Sequence, residues 1–124
     1  MCNYLAVAIG GALGACCRYG LGEFILHLFG KAFPFATLLV NILGSFVLGV
    51  LYGLFLTEHL AVSPWKALIS IGFLGAFTTF STFSLDTILL VQQGELPKAV
   101  LNVVLNLVLC LTLAWLGVKL GTMK

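Results

Sequence analysis

The chain has 124 residues; 61% are hydrophobic, only six are basic and four acidic, and the mean hydropathy is +1.18. So few charges cannot give a chain of this length a water-facing surface, which excludes a soluble globular domain and points to a single domain lying mostly in lipid. The formal net charge of +2, with no basic cluster to concentrate it, argues against nucleic acid as a partner.

The first apolar stretch runs from Tyr4 to about Leu28 and carries Arg18 and Glu23 in its second half. No basic region precedes it, so it reads as a retained membrane helix rather than a cleaved signal peptide. Gly10 and Gly14 form a small-xxx-small pair, the mark of a close helix contact. Cys2, Cys16, Cys17 and Cys110 make no CxxC pair and have no His-rich partner segment, which argues against zinc. Adjacent Cys16 and Cys17 point to different faces of a helix and read as small packing residues, not as a disulfide.

The second stretch, Phe35 to Leu56, is 22 residues without a charge. Within it Thr37, Asn41, Ser45, Gly49 and Gly53 recur every four residues, a slowly drifting stripe along one face. The glycines read as a helix seam. Asn41 serves equally as part of that seam or as an amide donor to a passing solute.

The third stretch starts near Ala67, runs uncharged to Leu85, passes Asp86 and ends by Val91. Between Gly72 and Ser84 it sets the hydroxyls of Thr78, Thr79, Ser81, Thr82 and Ser84 among phenylalanines at membrane depth. Threonine is a mediocre helix former and two glycines lead the run, so the spacing predicts an interrupted helix. Freed carbonyls and amides are tolerated in lipid only against protein or water, which is how broken helices make ion sites. Phe77, Phe80 and Phe83 recur every three residues. Such a face is ordinarily packing, and the interleaved hydroxyls give it a second reading beside an ion path.

The fourth stretch, Ala99 to Val118, is 20 uncharged residues with Asn102, Asn106 and Cys110 every four positions. They fit a helix–helix seam and the wall of a wet pathway equally well. Each stretch reaches the roughly 20 residues that cross about 30 Å of hydrocarbon. The turns between them hold Gly30-Lys31 with Pro34, Glu58-His59 with Ser63-Pro64, and Gln92-Gln93-Gly94-Glu95 with Pro97. The expected fold is therefore an all-α membrane protein, one domain over 1–124, with helices at about 4–28, 35–56, 67–91 and 99–118.

Four crossings put both termini on one side. That side carries Lys66, Lys119 and Lys124; the other carries Lys31, Lys98 and, if it snorkels outward, Arg18. Balanced flanks set no preferred orientation and favour an antiparallel, dual-topology dimer over one fixed orientation. An arginine at a helix centre costs about 2.5–3.5 kcal/mol on insertion scales. Arg18 thus either snorkels or sits in a vestibule that attracts anions, and Asp86 is a candidate partner for it.

Three ordered motifs carry a family resemblance. Gly10-Gly11-Ala12-Leu13-Gly14-Ala15-Cys16-Cys17-Arg18-Tyr19 resembles GGxxGAxxRY, and Thr37-Leu38-Leu39-Val40-Asn41-Ile42-Leu43-Gly44-Ser45-Phe46 resembles TLxVNxxGSF. The run from Gly72 to Ser84 is similar to GFxGxxTTFSTFS. Together they resemble the CrcB/Fluc fluoride channels of microbes, through motifs in three helices and asparagines in the fourth. The resemblance implies a multi-pass protein of the inner (plasma) membrane, an antiparallel homodimer with two fluoride pores, and a structural sodium ion (Na+) at its centre. It implies Asn41 as the pore-lining amide, and Phe80 and Phe83 as rings flanking fluoride across the dimer. Ser81 and Thr82 would add hydroxyl donors, Asn102, Asn106 and Cys110 would form the polar track of the fourth helix, and Arg18 would lie near the vestibule. Gly75 and Thr78 would give backbone carbonyls to sodium. Cys110 stands where the family often has Ser, and Asp86 where Glu is usual.

The chemistry of the residues suits that implication. A tightly hydrated anion needs donors to replace its water, and Asn amides and Ser or Thr hydroxyls are donors. Phenylalanine edges carry partial positive charge and face an anion without trapping it. The rival of similar size is a small dual-topology multidrug transporter, which needs a mid-membrane carboxylate in the first helix; only Glu23, towards the helix end, is available. A second rival, a non-transporting subunit with polar packing seams, leaves the Gly-Phe-Thr-Ser stretch unexplained. His27 and His59 sit near segment ends, and no nucleophile, base and orienter converge, so an enzyme is not expected.

Overall fold

A computed structural model of the protein describes residues 2–30, 33–56 and 66–123. The chain is all-helical there, with no β-strand among the described residues, and four helical spans are long and apolar enough to cross a membrane. Helix α1 covers Cys2–Phe29 and α2 covers Phe35–Leu56. The third span begins as a π-helical segment, Lys66–Leu74, continues as one turn, α3 (Gly75–Phe77), and resumes as α4 (Phe80–Gln92). Helix α5 covers Leu96–Thr122. The turn holding Glu58-His59 and Ser63-Pro64 lies outside the described residues, as do Lys31 and Lys124 of the charge count.

Local chemistry sets most of the ends. Gly30 closes α1 at φ 77°, with its N–H on the Leu26 carbonyl, and Pro34 immediately precedes α2. At the end of α4, Gly94 takes φ 79° while its N–H meets the Val91 carbonyl and that of Glu95 meets Leu90. This paired closure needs a left-handed residue, for which glycine has no steric cost. Helix α5 starts at Leu96 rather than 99 because Pro97 falls in the first turn, where its missing N–H would be unpaired anyway. It runs past 118 to Thr122, with Lys119 laid over the Trp115 ring at 5.0 Å.

Helix α2 packs chiefly on α5, and α1 on the π-helical segment. Both contacts are backbone to backbone. A Cβ on Gly10 would meet the Leu68 carbonyl, and one on Gly14 the Phe73 carbonyl. Gly49 and Gly53 face Ala114 and Val118 of α5, and Gly117 and Gly121 answer them from the other side. The glycine stripe of α2 is thus a seam, completed by two glycines on α5. Without a hydrophobic drive between helices in lipid, such close approach is what holds spans together. The buried set is small, with Leu38, Val40, Leu74, Phe77, Phe83 and Ala99 at its centre, while Leu13, Phe24, Leu101 and Leu111 are exposed, as apolar residues in lipid are free to be.

Gly117→Ala tests the seam by sign. Alanine favours a helix interior over glycine by about 1 kcal/mol. Here its Cβ would meet the Phe46 carbonyl and lie 2.8 Å from the Val50 nitrogen. Net destabilisation of about 1–3 kcal/mol is expected, read as a lower melting temperature in detergent. A raised melting temperature would refute the seam.

Candidate functional site

The site forms where the third span leaves helical geometry. Thr78 (φ −86°, ψ 158°) and Thr79 (φ −152°, ψ 125°) are extended. Asn41 of α2 meets this segment with both ends of its carboxamide. Its Oδ1 accepts the Thr79 N–H at 2.8 Å, and its Nδ2 donates to the Thr79 carbonyl at 3.0 Å. The Thr79 hydroxyl oxygen caps α4 by accepting the Thr82 N–H at 3.2 Å. From α1, Arg18 Nε donates to the Ala76 carbonyl at 3.0 Å, covering an acceptor at the end of α3.

A line of side-chain bonds continues from Asn41 into α5 and α4. Asn41 Nδ2 also donates to Asn106 Oδ1 at 3.3 Å. Asn106 Nδ2 donates to the Asn102 carbonyl at 2.8 Å and to Asn102 Oδ1 at 3.0 Å. Asn102 Nδ2 donates to Thr87 Oγ1 at 2.9 Å, and that hydroxyl donates to the Phe83 carbonyl at 2.9 Å. Asn102 is fully buried and Asn106 nearly so. Every amide in the line is paired, as polar groups at membrane depth must be.

Beside the line lies a hollow of about 220 Å³, walled by Asn41, Ser45, Thr79, Phe80, Asn106 and Cys110 among others. Phe80 and Phe83 stand together at its edge, ring centroids 5.4 Å apart at 50°. Phe83 is buried, whereas Phe80 is 74% exposed on the single chain. A second hollow of about 220 Å³ also touches Thr79 and is lined by Arg18, Glu23, Thr37 and Thr82 among others. A third, about 340 Å³, shares Thr37 with the second and reaches Asp86 and Gln93. The three lie in series along α2.

The residues singled out from sequence fall into distinct places. Asn41, Phe80, Phe83, Asn106 and Cys110 share one hollow, and Arg18 and Thr82 share the next. Asn102 belongs to the buried line, and Ser81 is exposed, its hydroxyl 3.3 Å from that of Thr79. Gly75 opens the turn α3 and Thr78 follows it. Asp86 does not pair with Arg18: its carboxylate accepts from the Thr37 hydroxyl at 2.8 Å, while the arginine is bound to Ala76. Thr79, marked in the sequence only as one hydroxyl of the third stretch, is the hub of the site through its backbone, which no side-chain pattern announces. Thr87 was not singled out; its local signal is the four-residue step back to Phe83.

A family model described as CrcB-like protein, Camphor Resistance (CrcB), matches residues 5–118. A protein of Pseudoalteromonas translucida called fluoride-specific ion channel FluC is 55% identical over 118 residues, covering 95% of this chain and 98% of its own length. One of Shewanella amazonensis with the same name is 57% identical over 120 residues, covering 97% and 96%. One of Vibrio parahaemolyticus, again so named, is 54% identical over 114 residues, covering 92% and 90%.

Asn41→Leu should leave the Thr79 N–H and carbonyl unpaired at membrane depth. At about 1–3 kcal/mol per buried unsatisfied group, the expected loss of stability is about 2–6 kcal/mol. Denaturation in detergent measures it; a variant as stable as the wild type would show that water replaces the carboxamide.

Proposed function

This chain belongs to the CrcB-like family, and on that premise we propose that it is a fluoride-selective channel, not an enzyme, that lets fluoride leave the cytoplasm by passive electrodiffusion and so limits fluoride toxicity. The observation that carries the reading is the relatives' identity across nearly the whole chain, under one name. The geometry supports it: an amide-lined, ring-edged hollow lies in a helical bundle of apolar spans. The Asn41 carboxamide and the Ser81 and Thr82 hydroxyls are the donors for the anion, with Asn106, whose amide hydrogens are held by Asn102, and Asn102 itself as the line behind them and Cys110 as part of the wall. Phe80 and Phe83 offer ring edges, which attract an anion weakly enough to release it. Arg18 lends its positive charge to the neighbouring hollow.

The working unit in this reading is an antiparallel homodimer in the inner membrane. The exposure of Phe80 at the rim of the hollow supports it, since a second copy would cover that ring and complete the wall. We read the extended Thr78 and Thr79 as a working interruption of the third span. The Thr79 amide is spent on Asn41, and the Thr82 amide on Thr79 Oγ1. In a continuous helix those amides would serve the carbonyls of Gly75 and Thr78. Both carbonyls therefore suit a hard monovalent cation, and sodium held there would supply a fixed positive charge beside the pathway.

Liposomes loaded with fluoride or chloride and holding the purified protein test the reading with ion-selective electrodes. Fast fluoride efflux, unaccompanied by chloride and strongly reduced in Phe80→Leu, is expected. Absence of fluoride efflux from well-folded protein would sink it.

A further inference from the structure

The direction of every bond in the buried line is dictated from one end. The Thr79 backbone offers one N–H and one C=O, so Asn41 must turn Oδ1 to the first and Nδ2 to the second. That leaves an amide hydrogen of Asn41 facing Asn106, which must answer with Oδ1. Asn106 then turns Nδ2 towards Asn102, which must answer with its own oxygens and present Nδ2 to Thr87. Thr87 can only accept there, so its proton goes to the Phe83 carbonyl. A flip of any one amide would set donor against donor and acceptor against acceptor in a buried place, at the cost of unpaired groups.

One link in the line is weaker than the rest. The Asn41–Asn106 bond is 3.3 Å, against 2.8–3.0 Å for the others, and both its residues wall the hollow beside Phe80 and Phe83. We propose that Thr87 and Asn102 are positioning residues of the conduction site: they hold the Asn106 oxygen against Asn41, so that one Asn41 amide hydrogen is paired when the hollow is empty and is handed to the anion when it arrives. This rests on the fluoride reading above. Neither residue touches the ion. The oxygen they hold competes with fluoride for a shared hydrogen, which keeps the site weak and lets the ion leave.

The test is initial fluoride efflux from liposomes at graded internal fluoride, for the wild type, Thr87→Val, Thr87→Ser and Asn102→Ala. Loss of the Thr87 hydroxyl frees Asn102 and then Asn106 to turn, and removes the competitor for the Asn41 hydrogen. Thr87→Val should therefore bind fluoride more tightly and pass it more slowly. Its half-saturating concentration and maximal flux should each fall about fivefold, the scale of one net hydrogen bond. Thr87→Ser keeps the hydroxyl and should restore both. Asn102→Ala breaks the same line from α5 and should shift half-saturation in the same direction, which covers the case of a poorly folding valine variant. A purely structural role would lower maximal flux with half-saturation unchanged; that outcome, in either variant, overturns the inference. A wild type that conducts no fluoride overturns the channel reading and this inference with it.

Discussion

Two hydrogen bonds, both between the Asn41 carboxamide and the backbone of Thr79, carry the greatest structural consequence in the chain. An extended residue at membrane depth has no water for its N–H and C=O, and each left bare costs several kcal/mol. A carboxamide carries a donor and an acceptor side by side, so Asn41 stands in for the peptide that a regular helix would have supplied. With that in place the neighbouring ends close in turn: Thr79 caps α4 through its hydroxyl, and Arg18 reaches from α1 to the Ala76 carbonyl. Remove the carboxamide and the Thr79 N–H and carbonyl both lose the partner it gives them.

The stripe on α2 explains how one helix meets so many needs. Thr37 bonds the Asp86 carboxylate, Asn41 holds Thr79, Ser45 walls the hollow, and Gly49 and Gly53 lie on the backbone of α5. A four-residue step drifts slowly round the helix, so successive members meet different neighbours while staying in one broad face. Gly44, between Asn41 and Ser45, is bare for the same cause: a Cβ there would strike the Thr78 side chain. The glycine end of α2 fixes its distance to α5 by backbone contact, and the polar end borrows that rigidity to aim Asn41.

The class, the four spans and the glycine seam were legible because they rest on composition and period, which a sequence displays directly. Gly49 and Gly53 announced one side of the seam; Gly117 and Gly121 answered from α5, the second of them beyond the expected end of that helix. The fourth stretch was bounded by its uncharged run, which begins after Lys98, whereas α5 starts at Leu96 with Pro97 in its first turn. The partners of the polar residues were not legible at all. Asp86 was a candidate partner for Arg18 by charge, yet each bonds a neutral group instead, a hydroxyl and a carbonyl respectively. Which acceptor lies within 3 Å depends on helix rotation and separation, and neither is encoded in spacing along the chain.

A pathway through lipid faces two opposed demands. Its donors must be strong enough to replace the water around a small anion, yet a strong donor left unpaired between ions is itself costly at that depth. The asparagine line meets both if each donor keeps a modest partner while the hollow is empty. Asn41 fits this best: one hydrogen is committed to Thr79 at 3.0 Å, and the other reaches Asn106 only at 3.3 Å. The longer bond is cheap to exchange, so under the proposed handover an arriving anion would gain a donor at little expense, and the waiting oxygen would take it back as the ion moved on. In the proposed pathway Phe80 and Phe83 would add weak attraction without a hydrogen to surrender, so that the exchangeable Asn41 bond would do most to set how tightly the anion is held.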